Sequence, residues 1–86
     1  MHTQEWPMRL WITEDGDATL VRAELTTRDN TLTAEGRADR NPSDPSVPEI
    51  GDELAAGRAL AELARQLMHA AASDVGGYSH PTPAVR

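Results

Sequence analysis

The chain has no cysteine and no lysine. Without thiols there is neither a disulfide nor a thiolate zinc site to reinforce the fold. At 86 residues the core is modest, which leaves oligomerisation as the common remaining staple. All eight basic residues are Arg, set against fourteen acids for a net charge of -6. The Arg bias reflects coding composition rather than recognition chemistry, and the spread acids account for solubility. The balance weighs against a broad nucleic-acid footprint, which needs a clustered positive face, yet leaves room for a small Arg patch.

No apolar run approaches the roughly 20 residues of a membrane span. The start, 1-MHTQEWPMRL-10, lacks a basic region followed by an apolar stretch, which argues against a secretory signal. The expectation is one cytoplasmic domain over residues 1–86. Within it, 1–5 are loose, 6–77 form an ordered core, and 78–86 are an extended or disordered tail.

The segment 49–75 carries the one long helical pattern. Leu54, Leu60, Leu63, Leu67, Ala71 and Val75 recur on one stripe, widened by Ala56, Ala59, Ala64 and Met68. Glu53, Glu62, Arg65, Gln66 and His69 mark its wet side. Ser46 with Glu49 fits a capping box, and Pro48 is tolerated in a first turn, so the helix is expected to begin near Val47. Asp52 capping a start at Glu53 is the alternative. Gly76 and Gly77 are expected to end it.

Three strands precede the helix. Trp6, Met8, Leu10 and Ile12 alternate with Pro7, Arg9, Trp11 and Thr13, which predicts a strand with the first set buried. The turn 14-EDGD-17 is a hairpin signal. In 18–26, Val21, Ala23 and Leu25 face the helix and alternate with Leu20, Arg22 and Glu24. The turn 27-TRDN-30 leads to 31–40, where Leu32, Ala34, Gly36 and Ala38 share one side. Gly36 inside a strand marks a bulge or tight packing. The plan is α+β: a three-stranded antiparallel sheet followed by one long helix, β-β-β-α. Trp11 and Leu20 would then form an exposed apolar patch on the open face, and the edges would stay unpaired. Both features point to a homodimer, across the open face or by sheet continuation.

Chemistry-bearing constellations are sparse. There is no glycine-rich phosphate loop, no cysteine pair and no His pair on one helical turn. No catalytic residue, cofactor or metal is expected. Asp52 and Glu53 could form a carboxylate pair, but charge near a helix start already explains them. His69 reads as solvated, and His80 as a pin for the tail. Trp6 reads as core and Trp11 as an interface residue. Arg9, Arg22 and Arg37 could share the open face, where interleaved acids favour a salt-bridged surface or interface.

The block 36-GRADRNPSDPSVPEIGDELAAGRALAELARQL-67, with Ser73, Asp74 and His80, resembles a family of small actinobacterial proteins of unknown function. Members include mycobacterial proteins linked to dormancy and low oxygen. The resemblance implies a double-stranded-RNA-binding-domain-like (dsRBD-like) fold in an intimate homodimer. One member's likeness to ribosome hibernation factors implies ribosome or RNA binding under stress, although the fold alone does not transfer that role. Here 57-GRAL-60 stands where members have an Ala-Arg-Ala-Leu-like run, and Gly76-Gly77-Tyr78 precede Ser79-His80. Arg40, Asn41, Pro42, Pro48, Glu49, Gly51, Asp52, Glu53 and Arg58 are the residues the resemblance ties to a shared interface or role. Their plainer reading is that they fix the turn and helix entry.

The leading expectation is a non-enzymatic, homodimeric, stress-associated protein that binds a ribosome, RNA or a protein partner. Its candidate contacts are Arg9, Trp11, Leu20, Arg22, Arg37, Arg40, Asn41, Glu49, Asp52, Glu53, Arg58 and His80. The rival is a small-ligand binder or enzyme using Asp52, Glu53, Arg58 and His80 at the dimer junction.

Overall fold

The computed structural model describes residues 1–78 and places β1 (Met8–Asp15), β2 (Ala18–Thr26), β3 (Thr31–Asp39) and α1 (Pro48–Tyr78) in that order. The strands form one antiparallel sheet in the order β1-β2-β3, followed by the single long helix. The expected α+β plan is the observed one. The proposed tail, apart from Tyr78 at the helix end, lies outside the described residues, as does His80.

The first hairpin is tighter than expected. β1 runs on to Asp15, which pairs with Ala18 across the two-residue loop Gly16-Asp17. Gly16 has a φ of 62°, the left-handed value such a loop demands and only glycine adopts freely. At the second hairpin the Thr27 amide donates to the Asn30 carbonyl at 2.8 Å, and the Asn30 amide donates to Thr27 Oγ1 at 3.1 Å.

β2 and β3 bury the faces their alternation predicts. Val21, Ala23, Leu25, Ala34 and Ala38 join Ala55, Ala59 and Leu63 in the core. The contact closes at Gly36. A methyl group there would collide with the Ala55 carbonyl oxygen and the Ala59 amide nitrogen. The helix backbone therefore lies directly on β3, where only alanine fits on the helix side. This corrects the expected stripe: the seam is Ala55, Ala59 and Leu63, with Ala56 and Leu67 beside it. Leu54 and Leu60 flank it half-exposed, and Met68 is 73% exposed.

Seating α1 on β3 and β2 leaves β1 uncovered, and here the sequence reading fails. Met8, Leu10 and Ile12 point to the helix side as predicted but stay 48%, 37% and 48% exposed. Trp6 lies outside β1 and is exposed, with its indole donating to Gln4 Oε1 at 3.3 Å. One helix about 10 Å across cannot cover a three-stranded sheet once it is drawn against β3.

The helix starts at Pro48, close to the earlier of the two expected starts, with proline where a missing amide costs nothing. Among the described residues there are no Ser46–Glu49 capping bonds; the Ile50 amide instead donates to the Val47 carbonyl at 3.0 Å. Contrary to expectation, the helix backbone passes through Gly76 and Gly77 to Tyr78. Glycine weakens a helix by about 1 kcal/mol but keeps its amide and introduces no clash, so it need not stop one.

The close approach yields a paired prediction. Gly36→Ala should cost about 2 kcal/mol or more, because both colliding atoms are backbone. Gly57→Ala, where an added methyl meets open space, should instead gain about 0.5–1 kcal/mol from helix propensity. Urea denaturation of both variants checks the pair.

Candidate functional site

The open face of the sheet is set by register. Trp11 lies opposite Arg22, which lies opposite Glu35; Arg9 lies opposite Glu24, and Leu20 opposite Arg37. The guanidinium carbons of Arg9 and Arg22 sit 6.0 Å and 5.6 Å from the Trp11 ring centroid. Two cations therefore bracket one indole, an arrangement favoured by the ring quadrupole.

Arg37 does not join them. Its Nε and Nη2 bind the Asp39 carboxylate at 2.9–3.1 Å in a forked pair. This contact lowers the Asp39 carboxyl below its usual range and raises Arg37 above its own. Glu24, Glu35 and Asp39 thus interleave with the three arginines, giving a charge-mixed surface around Trp11 and half-exposed Leu20.

The two sheet edges differ. At β3, Arg58 Nη1 donates to the Arg37 carbonyl at 2.8 Å, and Gln66 Nε2 donates to the Thr33 carbonyl at 2.9 Å. Both carbonyls point away from β2, so helix side chains cap that edge. Arg58 was expected at an interface and Gln66 in water. The spacing 58, 62, 66 puts both on one flank of the helix, the signal that could have located them. At β1, by contrast, all eight residues are exposed, and among the described residues no chain segment pairs with its outer side.

Arg40 and Asn41 organise the link into the helix. Arg40 donates to the carbonyls of Pro42 and Asp44 and forms an ion pair with the Asp17 carboxylate in the first hairpin, while its amide donates to the Asp17 carbonyl at 2.8 Å. Asn41 Oδ1 accepts from the Ser43 amide and hydroxyl at 3.0 Å, a side-chain turn. These residues staple turn to hairpin, in line with the plainer reading of the block. A cavity of about 480 Å³ lies beneath, lined by Thr19, Ala38, Arg40, Asn41, Val47 and Ile50 among others. Asp52, Glu53 and Arg58 do not line it.

Glu49 and Glu53 are exposed near the helix start. Asp52 turns inward toward Glu14. Its Oδ1 is buried and receives no bond from another donor, and a proton on Glu14 is what can bridge the two carboxyl groups. That contact, then the charge of Asp52, burial and the charge of Glu49, raise the Glu14 carboxyl above its ordinary value. Among the described residues no group of three acids or histidines is placed to hold a metal ion, and no helix is long and apolar enough to cross a membrane.

Against known proteins, the chain matches the family profile described as Rv2632c-like over residues 4–84. The uncharacterized protein Mb1767 of Mycobacterium bovis is 36% identical over 77 residues, covering 90% of this chain and 82% of that one. The uncharacterized protein Rv2632c of Mycobacterium tuberculosis is 38% identical over 69 residues, covering 80% and 74%. A crystal structure of Rv2632c superposes with a TM-score of 0.87 at 32% identity, covering 95% of this chain and 98% of that chain.

The Glu14–Asp52 contact makes stability depend on pH. Because the folded state holds the Glu14 proton more tightly than the unfolded chain, folding stability falls as pH rises from the ordinary value of 4.5 through the raised one. Glu14→Gln removes that charge and keeps a donor. Thermal melts should show the variant above wild type near neutral pH, with the gap closing at about pH 4, where both states are protonated. An equal gap at both pH values would mean the two carboxyls are not coupled.

Proposed function

This chain belongs to the Rv2632c-like family of actinobacterial proteins, and from that premise we propose that it works without catalysis, as a homodimeric, cytoplasmic, stress- or dormancy-associated protein that docks on a protein surface, including one carried by the ribosome. The observation that carries the reading is the Arg9–Trp11–Arg22 cluster on the uncovered sheet face. Trp and Arg dominate binding hot spots because each combines a large contact area with a directional polar group. A rigid sheet holds these side chains without the ordering cost that a loop would incur.

A protein partner fits this face better than an exposed phosphate backbone. Glu24, Glu35 and Asp39 stand among the arginines, and the whole chain carries -6, so a polyanion would meet repulsion between the contacts. A dsRBD-like architecture, which the family resemblance implies, would by itself bring no RNA specificity with it.

Co-sedimentation with ribosomes at low and high salt tests the reading. Wild type should pellet at low salt and release as salt rises. Arg22→Glu, which reverses one cation of the cluster away from the sheet edge, should cut the bound fraction about tenfold or more. Binding that survives Arg22→Glu but is competed away by free RNA would move the contact to nucleic acid. A protein that never pellets would reject the ribosome as its docking surface.

A further inference from the structure

The two sheet edges are built differently, and the difference identifies an interface. In an antiparallel pair the amide and carbonyl of one residue point to the same side, and successive residues alternate. The Thr26 amide donates to the Pro7 carbonyl at 3.0 Å, so Pro7, Arg9, Trp11, Thr13 and Asp15 address β2. Met8, Leu10, Ile12 and Glu14 then point their backbone groups outward. On β3 the same parity turns Thr33 and Arg37 outward, and there Gln66 and Arg58 occupy the carbonyls. Only the β1 edge has an unblocked ladder among the described residues, and it carries exposed Met8, Leu10, Trp11 and Ile12. Such an edge calls for a strand.

We infer that β1 pairs antiparallel with β1 of a second copy across a two-fold axis at Trp11, joining two sheets into one of six strands. This rests on the homodimer in the function proposed above and specifies its geometry. A two-fold normal to the sheet keeps the faces of both copies aligned, so paired residues must share a face. With Trp11 on the axis, Met8 pairs with the partner's Glu14 and Leu10 with the partner's Ile12, and all four outward residues of each strand are used. An axis through Leu10 or Ile12 uses only three.

The side chains agree with that register. Leu10 and Ile12 meet on the helix side. On the open side Arg9 lies diagonal to the partner's Asp15, within reach of a long side chain, and the charges are opposite at both ends of the ladder. Trp11 meets the partner's Trp11 at a non-hydrogen-bonded position, where cross-strand side chains approach most closely. The two Arg-bracketed indoles then form one continuous patch on the docking face.

The absence of native cysteine makes the test clean. In a non-hydrogen-bonded pair the Cα atoms lie about 4.5 Å apart, inside the disulfide range of roughly 4.4–6.8 Å. Trp11→Cys, oxidised at micromolar concentration, should run as a covalent dimer on a non-reducing gel. Arg9→Cys and Thr13→Cys, each offset from its own copy, should stay single. A second variant, Leu10→Pro, removes an outward amide and spares every bond to β2, so it should keep wild-type circular dichroism while its sedimentation mass halves. If wild type sediments as a dimer but Trp11→Cys does not cross-link and Leu10→Pro remains dimeric, the β1 interface is wrong and the dimer stands. If wild type is a monomer throughout, the homodimer itself falls.

Discussion

The fold depends on one contact, the seating of the helix backbone on β3 at Gly36. Because nothing larger than hydrogen fits between that strand and the Ala55–Ala59 turn, the seam is built from small residues: Ala34, Ala38, Ala55 and Ala59. Small side chains contribute little apolar area apiece. Their advantage is that two backbones approach closely and the interface is dense with short-range contacts. The larger side chains Val21, Leu25 and Leu63 close the core on either side. Leu54 and Leu60, which a wider helix–sheet separation would draw inward, remain at its margins.

The same contact settles where the helix is not. Held against β3 and β2, it leaves every residue of β1 exposed, although Asp52 reaches Glu14 at the end of that strand. It also places Arg58 and Gln66 over the outer carbonyls of β3. Two outward carbonyls of one sheet edge are thereby taken by the helix, while the outward groups of the other edge have no partner among the described residues. The asymmetry follows from a sheet three strands wide covered by a single helix.

The hairpin end is organised by charge. Arg40 ties the link before the helix to Asp17 in the first turn, using four polar contacts at one residue. Close by, Glu14 and Asp52 bring two carboxyl groups together at the helix start, where the positive end of the helix favours negative charge. The block of sequence that reads most like a binding motif, from Arg40 to Arg58, thus works largely in joining sheet to helix. The Arg9, Trp11 and Arg22 cluster of the open face lies in strands whose sequence is unremarkable apart from its alternation.

From residues alone, the element order, both hairpins, the inward sets of β2 and β3, and the early helix start were legible, because each depends on local periodicity or turn chemistry. Trp11 and Leu20 were correctly assigned to the open face for the same reason: strand parity is a local property. What the tertiary structure decided was lateral position. Alternation marked Met8, Leu10 and Ile12 as one face of a strand, but whether the helix reaches them depends on where Gly36 lets it settle. Helical spacing likewise placed Leu54 and Leu60 on the buried stripe, yet the rotation that favours Ala55 and Ala59 is set by the strand opposite. The sequence by itself determined which side of each element is apolar. Only the packed structure decided which apolar sides are covered, because coverage depends on how closely two backbones approach, and that distance is a property of both at once.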